Sequence, residues 1–122
     1  MTGDSAAERG LPRAYLRVVL LTLVAAGPTH GYDLLEQVRA AGFRLADAGA
    51  LYRTLRTMER QQLFESWWEK SSSGPPRRTY TLTESGRAAL DAETRELRAT
   101  VSLLGDVVEQ AERVLGAKAD AR

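Results

Sequence analysis

The stretch Asp47-Ala48-Gly49-Ala50-Leu51-Tyr52-Arg53-Thr54-Leu55-Arg56-Thr57-Met58-Glu59-Arg60 sets Leu51, Leu55 and Met58 at i, i+4 and i+7, the spacing of one helical face. A carboxylate at Asp47 can accept from the unpaired N–H groups at a helix start, so the spacing predicts a helix over 48–61. The opposite side carries Tyr52, Arg53, Arg56, Thr57 and Arg60. Its arginines stand at steps of three and four and share a face. Just upstream, a helix is predicted over 31–41, with Thr29 as its cap, Tyr32, Leu35 and Val38 on its buried stripe and Gly42 as its stop. Two helices of about three turns joined by a short glycine-containing turn make a helix-turn-helix unit.

Upstream of this unit, Pro12 suits the first turn of a helix that Gly27-Pro28 ends. That helix is apolar on nearly every side, with Tyr15, Leu16, Val18, Val19, Leu20, Leu21, Leu23 and Val24. Such a helix is buried on more than one face, here against its own domain and a second subunit. Val18–Ala26 follows Arg9, Arg13 and Arg17 much as the core of a secretory signal would. It falls well short of the ~20 residues that span a bilayer, and removing it would strip the helix-turn-helix of its support. The expectation is a soluble cytoplasmic protein with no membrane partner.

Downstream, the period changes to two. Phe64, Ser66 and Trp68 fall on one side, and Leu63, Glu65, Trp67 and Glu69 on the other. Thr79-Tyr80-Thr81-Leu82 alternates again, across a polar loop Ser71-Ser72-Ser73-Gly74-Pro75-Pro76 whose prolines are not expected to join a ladder. The pair reads as a β-hairpin with Trp68 in the core. Trp67 points outward, either as a plain exposed aromatic or as part of a surface for a ligand or partner. A long helix then runs from Thr83 to about Gly116. Within it Leu97, Val101, Leu104, Val108, Ala111 and Leu115 alternate steps of four and three, a heptad seam that Leu90 and Thr94 extend backwards. At ~1.5 Å per residue the helix is about 50 Å long, more than a small domain can cover, so the seam calls for a second chain.

The fold class is therefore mainly α with a small β-hairpin: a winged helix-turn-helix domain over residues 11–83, a dimerisation helix over 84–122 and a mobile terminus over 1–10. In a chain of 122 residues, 43% hydrophobic and 27% charged, this is an ordinary globular composition. Charge divides along the chain: ten Lys/Arg stand against six Asp/Glu between residues 13 and 83, and six against eight from residue 84 on. A basic body with an acidic tail suits a polyanion partner, since Lys/Arg neutralisation of phosphates drives nucleic-acid binding. The absence of cysteine and the single histidine disfavour a disulfide framework, a thiol nucleophile and a transition-metal site. His30 beside Tyr32 has no accompanying nucleophile, so it reads as structural, and neither enzyme chemistry nor a cofactor is expected.

Three stretches resemble the signatures of PadR-like regulators: Gly27-Pro28-Thr29-His30-Gly31-Tyr32-Asp33-Leu34-Leu35, then Gly49-Ala50-Leu51-Tyr52-Arg53-Thr54-Leu55, then Gly74 to Arg87 through Arg77-Arg78-Thr79-Tyr80-Thr81-Leu82. The resemblance covers roughly residues 16–90 and is similar to the class with one C-terminal helix. It implies a homodimer that binds double-stranded DNA at a two-fold symmetric operator and represses transcription. The chain departs from the pattern at Asp47 and Ala50, at Arg53, at Gln62 where a glycine is usual, and at Trp67. The DNA-facing residues expected are Tyr52, Arg53, Arg56, Thr57 and Arg60 on the third helix, with Lys70, Arg77 and Arg78 on the wing. The dimerisation residues expected are Leu97, Val101, Leu104, Val108, Ala111 and Leu115. A winged helix that binds an acidic protein partner is the rival reading, and the residues name no small-molecule effector.

Overall fold

The computed structural model describes residues 11–120. The expected mobile terminus over 1–10 lies outside them. After a 3-10 turn at Arg13–Tyr15 come α1 (Leu16–Ala25), β1 (Thr29–His30), α2 (Gly31–Ala40), α3 (Ala48–Arg60), β2 (Phe64–Ser71), β3 (Gly74–Leu82) and α4 (Glu84–Asp120). The chain divides into two compact units, one to Leu90 and one from Asp91.

In the first unit, Leu20, Leu21 and Val24 of α1, Leu34, Leu35 and Val38 of α2 and Leu51, Leu55 and Met58 of α3 close on Phe64 and Tyr80 to form the core. Each such side chain contributes about 1.5–3 kcal/mol when fully covered. The remaining sides of α1, including Val18, Val19 and Leu23, are half-buried. Asp47 caps α3 as the sequence predicts, its carboxylate accepting from the Ala50 N–H at 3.0 Å. The last helix opens on a similar device, for the Thr83 hydroxyl accepts from the Gly86 N–H at 2.9 Å and donates to the Gln62 carbonyl at 2.6 Å. Gly86 is required there, because a Cβ would collide with the Leu63 carbonyl and the Leu82 side chain.

Several expectations are corrected. Thr29 does not cap α2: it lies in β1, which pairs antiparallel with β3 through Thr29↔Tyr80 and His30↔Thr79, so the sheet has three strands in the order β1-β3-β2. His30 takes the cap position without a side-chain cap bond. Its Nδ1 lies 3.0 Å from the buried Thr79 hydroxyl, in a hydrogen bond that ties β1 to β3. Tyr32 leaves the expected buried stripe and is 68% exposed, Leu34 taking its place in the core. Leu63 turns inward, because Gln62 before it adopts a φ of 64° and swings the chain toward the core.

The hairpin is also longer than its prolines suggest. Pairing runs from Phe64↔Leu82 to Glu69↔Arg77 and then slips by one residue, so that Ser71 faces Gly74. Pro75 and Pro76 lie in the slipped part of β3, beyond the two residues that β1 covers. A missing N–H costs little on an irregular, uncovered strand edge. This extension also overturns the placing of Trp68. The strand runs past the body of the unit, so Phe64 is buried and Trp68, four residues further along the same side, is 64% exposed.

From Asp91 the second unit is helix alone. Val101, Leu104, Val108, Ala111 and Leu115 are all exposed, and Leu97 is half-buried. Leu103, Val107 and Val114 add a second exposed apolar row beside the seam. No helix among the described residues is long and apolar enough to cross a membrane.

Candidate nucleic-acid interface

The exposed side of α3 is basic because its leucines and Met58 have turned the other way. Arg53, Arg56, Thr57 and Arg60 are exposed and Tyr52 is half-buried. Hydroxyls brace this face from within: Thr57 donates to the Arg53 carbonyl at 3.0 Å, and Arg60 Nη2 donates to the Thr57 hydroxyl at 3.2 Å. The five residues expected on the third helix thus stand together.

Two arginines that the sequence reading did not assign extend this surface. Arg13 and Arg17 line a shallow groove of about 280 Å³ with Ala50, Arg53, Thr54 and Thr57. Arg17 also donates to Gln61 Oε1 at 2.8 Å, which ties α1 to the residue after α3. Their spacing of four within one predicted helix was legible; only the tertiary fold sets Arg13, on the 3-10 turn, and Arg17, on α1, beside α3. The groove gathers three guanidinium groups, and such groups bind phosphate oxygens in forked pairs.

The two wing arginines differ. Arg78 is held from three sides: Nε donates to the Ser66 hydroxyl at 3.0 Å, Nη2 lies 3.6 Å from Glu59 Oε2, and the guanidinium stacks 5.2 Å from the centre of the Trp68 ring. Ser66 in turn donates to Glu59 Oε2 at 2.8 Å. This chain of contacts fastens the wing to α3. It also explains why Trp68 rests outside the core, since an arginine supplies the surface its ring covers. Arg77 faces the other way, opposite Glu69, and is exposed, as is Lys70 at the slip in the hairpin. Beneath them Tyr80 is buried with its ring edge-on to Phe64 at 6.4 Å. Burial pushes its phenol above the ordinary 10.0, with the Arg78 charge pulling in the opposite direction.

Between α3 and the wing lies a larger cavity of about 710 Å³, with Tyr52, Arg56 and Glu59 on the α3 side and Trp68, Arg77 and Arg78 on the wing. No group of His, Asp or Glu suited to a metal ion occurs among the described residues.

The profile of the PadR-like transcriptional regulator family matches residues 20–92, more than half of the chain. The chain belongs to the PadR-like family. Among solved PadR-like structures, the regulator from Bacillus cereus superimposes with a TM-score of 0.72 at 23% identity, covering 79% of this chain and 93% of that one. A PadR family regulator from Clostridium difficile gives 0.70 at 25% identity over 77% and 98% of the two chains, and a PadR-like factor from Bacteroides fragilis gives 0.60 at 29% over 75% and 90%. In sequence, this PadR-like chain is 36% identical over 98 residues to a 37.1 kDa transposon protein of Streptomyces fradiae, of which it spans 26%. It is 24% identical over 87 residues to a protein of Lysinibacillus sphaericus, of which it spans 79%.

Proposed function

We propose that this PadR-like regulator is a cytoplasmic homodimeric repressor that binds a two-fold symmetric DNA operator through α3 and the wing, without a cofactor. The observation that carries the reading is the exposed Arg53–Arg56–Arg60 face of α3 beside a wing held to the same helix by Arg78 and Glu59. In this reading Arg53 and Arg56 enter the major groove, where a guanidinium forks onto guanine O6 and N7. Tyr52, Thr57 and Arg60 meet the flanks of that groove. Arg77 and Lys70 meet backbone phosphates, with Arg13 and Arg17 continuing the phosphate track past α3. The exposed seam of α4 joins the two subunits.

Binding to labelled duplexes over a range of salt tests this. If each subunit neutralises three to five phosphates, log K falls against log salt with a slope of about −5 to −9. Arg56→Ala lowers operator affinity more than random-DNA affinity, by ~1–3 kcal/mol per lost base contact. A slope near zero transfers the basic face to the rival role of meeting an acidic protein partner. An unchanged ratio of operator to random-DNA affinity removes Arg56 from base reading.

A further inference from the structure

We infer that the cavity between α3 and the wing binds a small planar anion of the nucleoside monophosphate class, and that its occupant excludes DNA. The inference rests on the reading of α3 and the wing as the DNA face. A volume of about 710 Å³ falls within the ~300–1,000 Å³ usual for small-molecule sites.

Aromatic rings line the cavity from four elements: Tyr32 from α2, Tyr52 from α3, Trp68 from β2 and Tyr80 from β3. Tyr80 is buried, and Tyr52 lies so close to Gly31 that a Cβ there would sit 3.0 Å from its ring. Glycine at that position lets α2 and α3 approach and sets the depth of the cavity. Tyr32 and Trp68, in contrast, are 68% and 64% exposed and belong to no core. Trp68 is nonetheless fixed, because Arg78 stacks on it and is itself held by Ser66 and Glu59. A wall fixed in this way loses little freedom when a ligand arrives.

The charges left over define the ligand. Glu59 is engaged by Arg78 and Ser66. Arg56 and Asp33 also line the cavity, and among the described residues neither has a hydrogen-bond or ion-pair partner. The unpaired Arg56 guanidinium calls for an anion whose oxygens it can take in a forked pair, and the unpaired carboxylate calls for an N–H or O–H donor. The aromatic rims call for a flat ring. A nucleoside monophosphate supplies all three in one molecule. Duplex DNA supplies phosphates and base edges but no flat ring face, since its bases are stacked inside the helix. DNA therefore accounts for Arg56 and leaves the exposed Tyr32 ring, and the open face of the Trp68 ring, without a partner. An occupant that engages Arg56 removes that cation from the DNA face of each subunit, so its binding and DNA binding oppose each other.

The test uses the full chain carrying Trp67→Phe, so that Trp68 is the one fluorophore of its kind. Adenosine 5′-monophosphate, adenosine, inorganic phosphate and benzoate are titrated separately, and a labelled duplex is titrated with and without the monophosphate. The monophosphate is expected to quench Trp68 and to weaken duplex binding in step with occupancy. Adenosine is expected to bind about tenfold more weakly, and phosphate to cause no quenching. Tyr32→Ala is expected to weaken the monophosphate about tenfold while leaving duplex affinity within about twofold. The inference is overturned if a protein that binds the duplex shows no quenching at millimolar monophosphate, or if quenching occurs without loss of duplex binding. Benzoate binding as tightly as the monophosphate overturns the ligand class. Equal losses of both affinities in Tyr32→Ala make the cavity part of the DNA contact and overturn it as well. Quenching by the monophosphate in a protein that binds no duplex upholds the cavity as a ligand site and overturns the DNA reading instead.

Discussion

Up to Leu90 the chain folds a buried core around most of its large apolar side chains, and from Asp91 it folds none. Leu20, Leu34, Val38 and Leu55 are fully buried among their neighbours in the first unit, whereas Val101, Leu104, Val108 and Leu115 of the second are each more than half exposed. The two sets are similar in residue type and in helical spacing. What differs is the number of elements available to close over them: three helices and a sheet in the first unit, one helix in the second. A lone helix cannot bury its own stripe, and in the proposed dimer a second chain covers it. In that reading stability in the first unit is a property of one chain, and in the second a property of concentration.

The largest expected effect breaks the second unit. Leu104→Glu places a charge in the exposed seam and is expected to convert the dimer to monomer or aggregate. Truncation after Leu97 should do the same, and sedimentation that finds either variant still dimeric would remove α4 as the dimer element. Next in size, Leu55→Ala opens a cavity in the first unit and is expected to cost about 2–5 kcal/mol. Denaturant unfolding should show that loss at every protein concentration, while Leu115→Ala should show one that shrinks as concentration rises.

A smaller effect separates the two wing arginines. Arg77→Ala is expected to make the salt slope of DNA binding shallower by about one per lost contact. Arg78→Ala should leave the slope unchanged and lower affinity for all sequences, because Arg78 fastens the wing to α3 through Ser66 and Glu59. Equal slopes for the two variants would return Arg78 to the phosphate contacts. The smallest effect is a gain: Gln62 holds a φ of 64°, a left-handed conformation that suits glycine. Gln62→Gly is expected to stabilise the first unit by about 0.5–1 kcal/mol, part of the strain relief being offset by the freer unfolded chain. A lower melting temperature would contradict that assignment of strain.

The helices, the Asp47 cap, the two-residue alternation of the wing and the seam of α4 were legible in the sequence, because each depends on periodicity and capping over a few residues. Gln62 was marked through the resemblance, as a departure from its pattern, and its φ of 64° is a conformation that suits glycine. The third strand at Thr29–His30 was hidden, since two residues carry no alternation and pair only because β3 lies alongside. The exposure of Tyr32 and Trp68 was hidden too. Periodicity states which residues share a side of an element, but not how far the neighbouring elements extend to cover that side. The same reason governs the interface. Local spacing set Arg53, Arg56 and Arg60 on one face of α3. Only the packing of α1 and the wing against that helix decided that Arg13 and Arg17 continue the face and that Arg78 is bound inward while Arg77 remains outside.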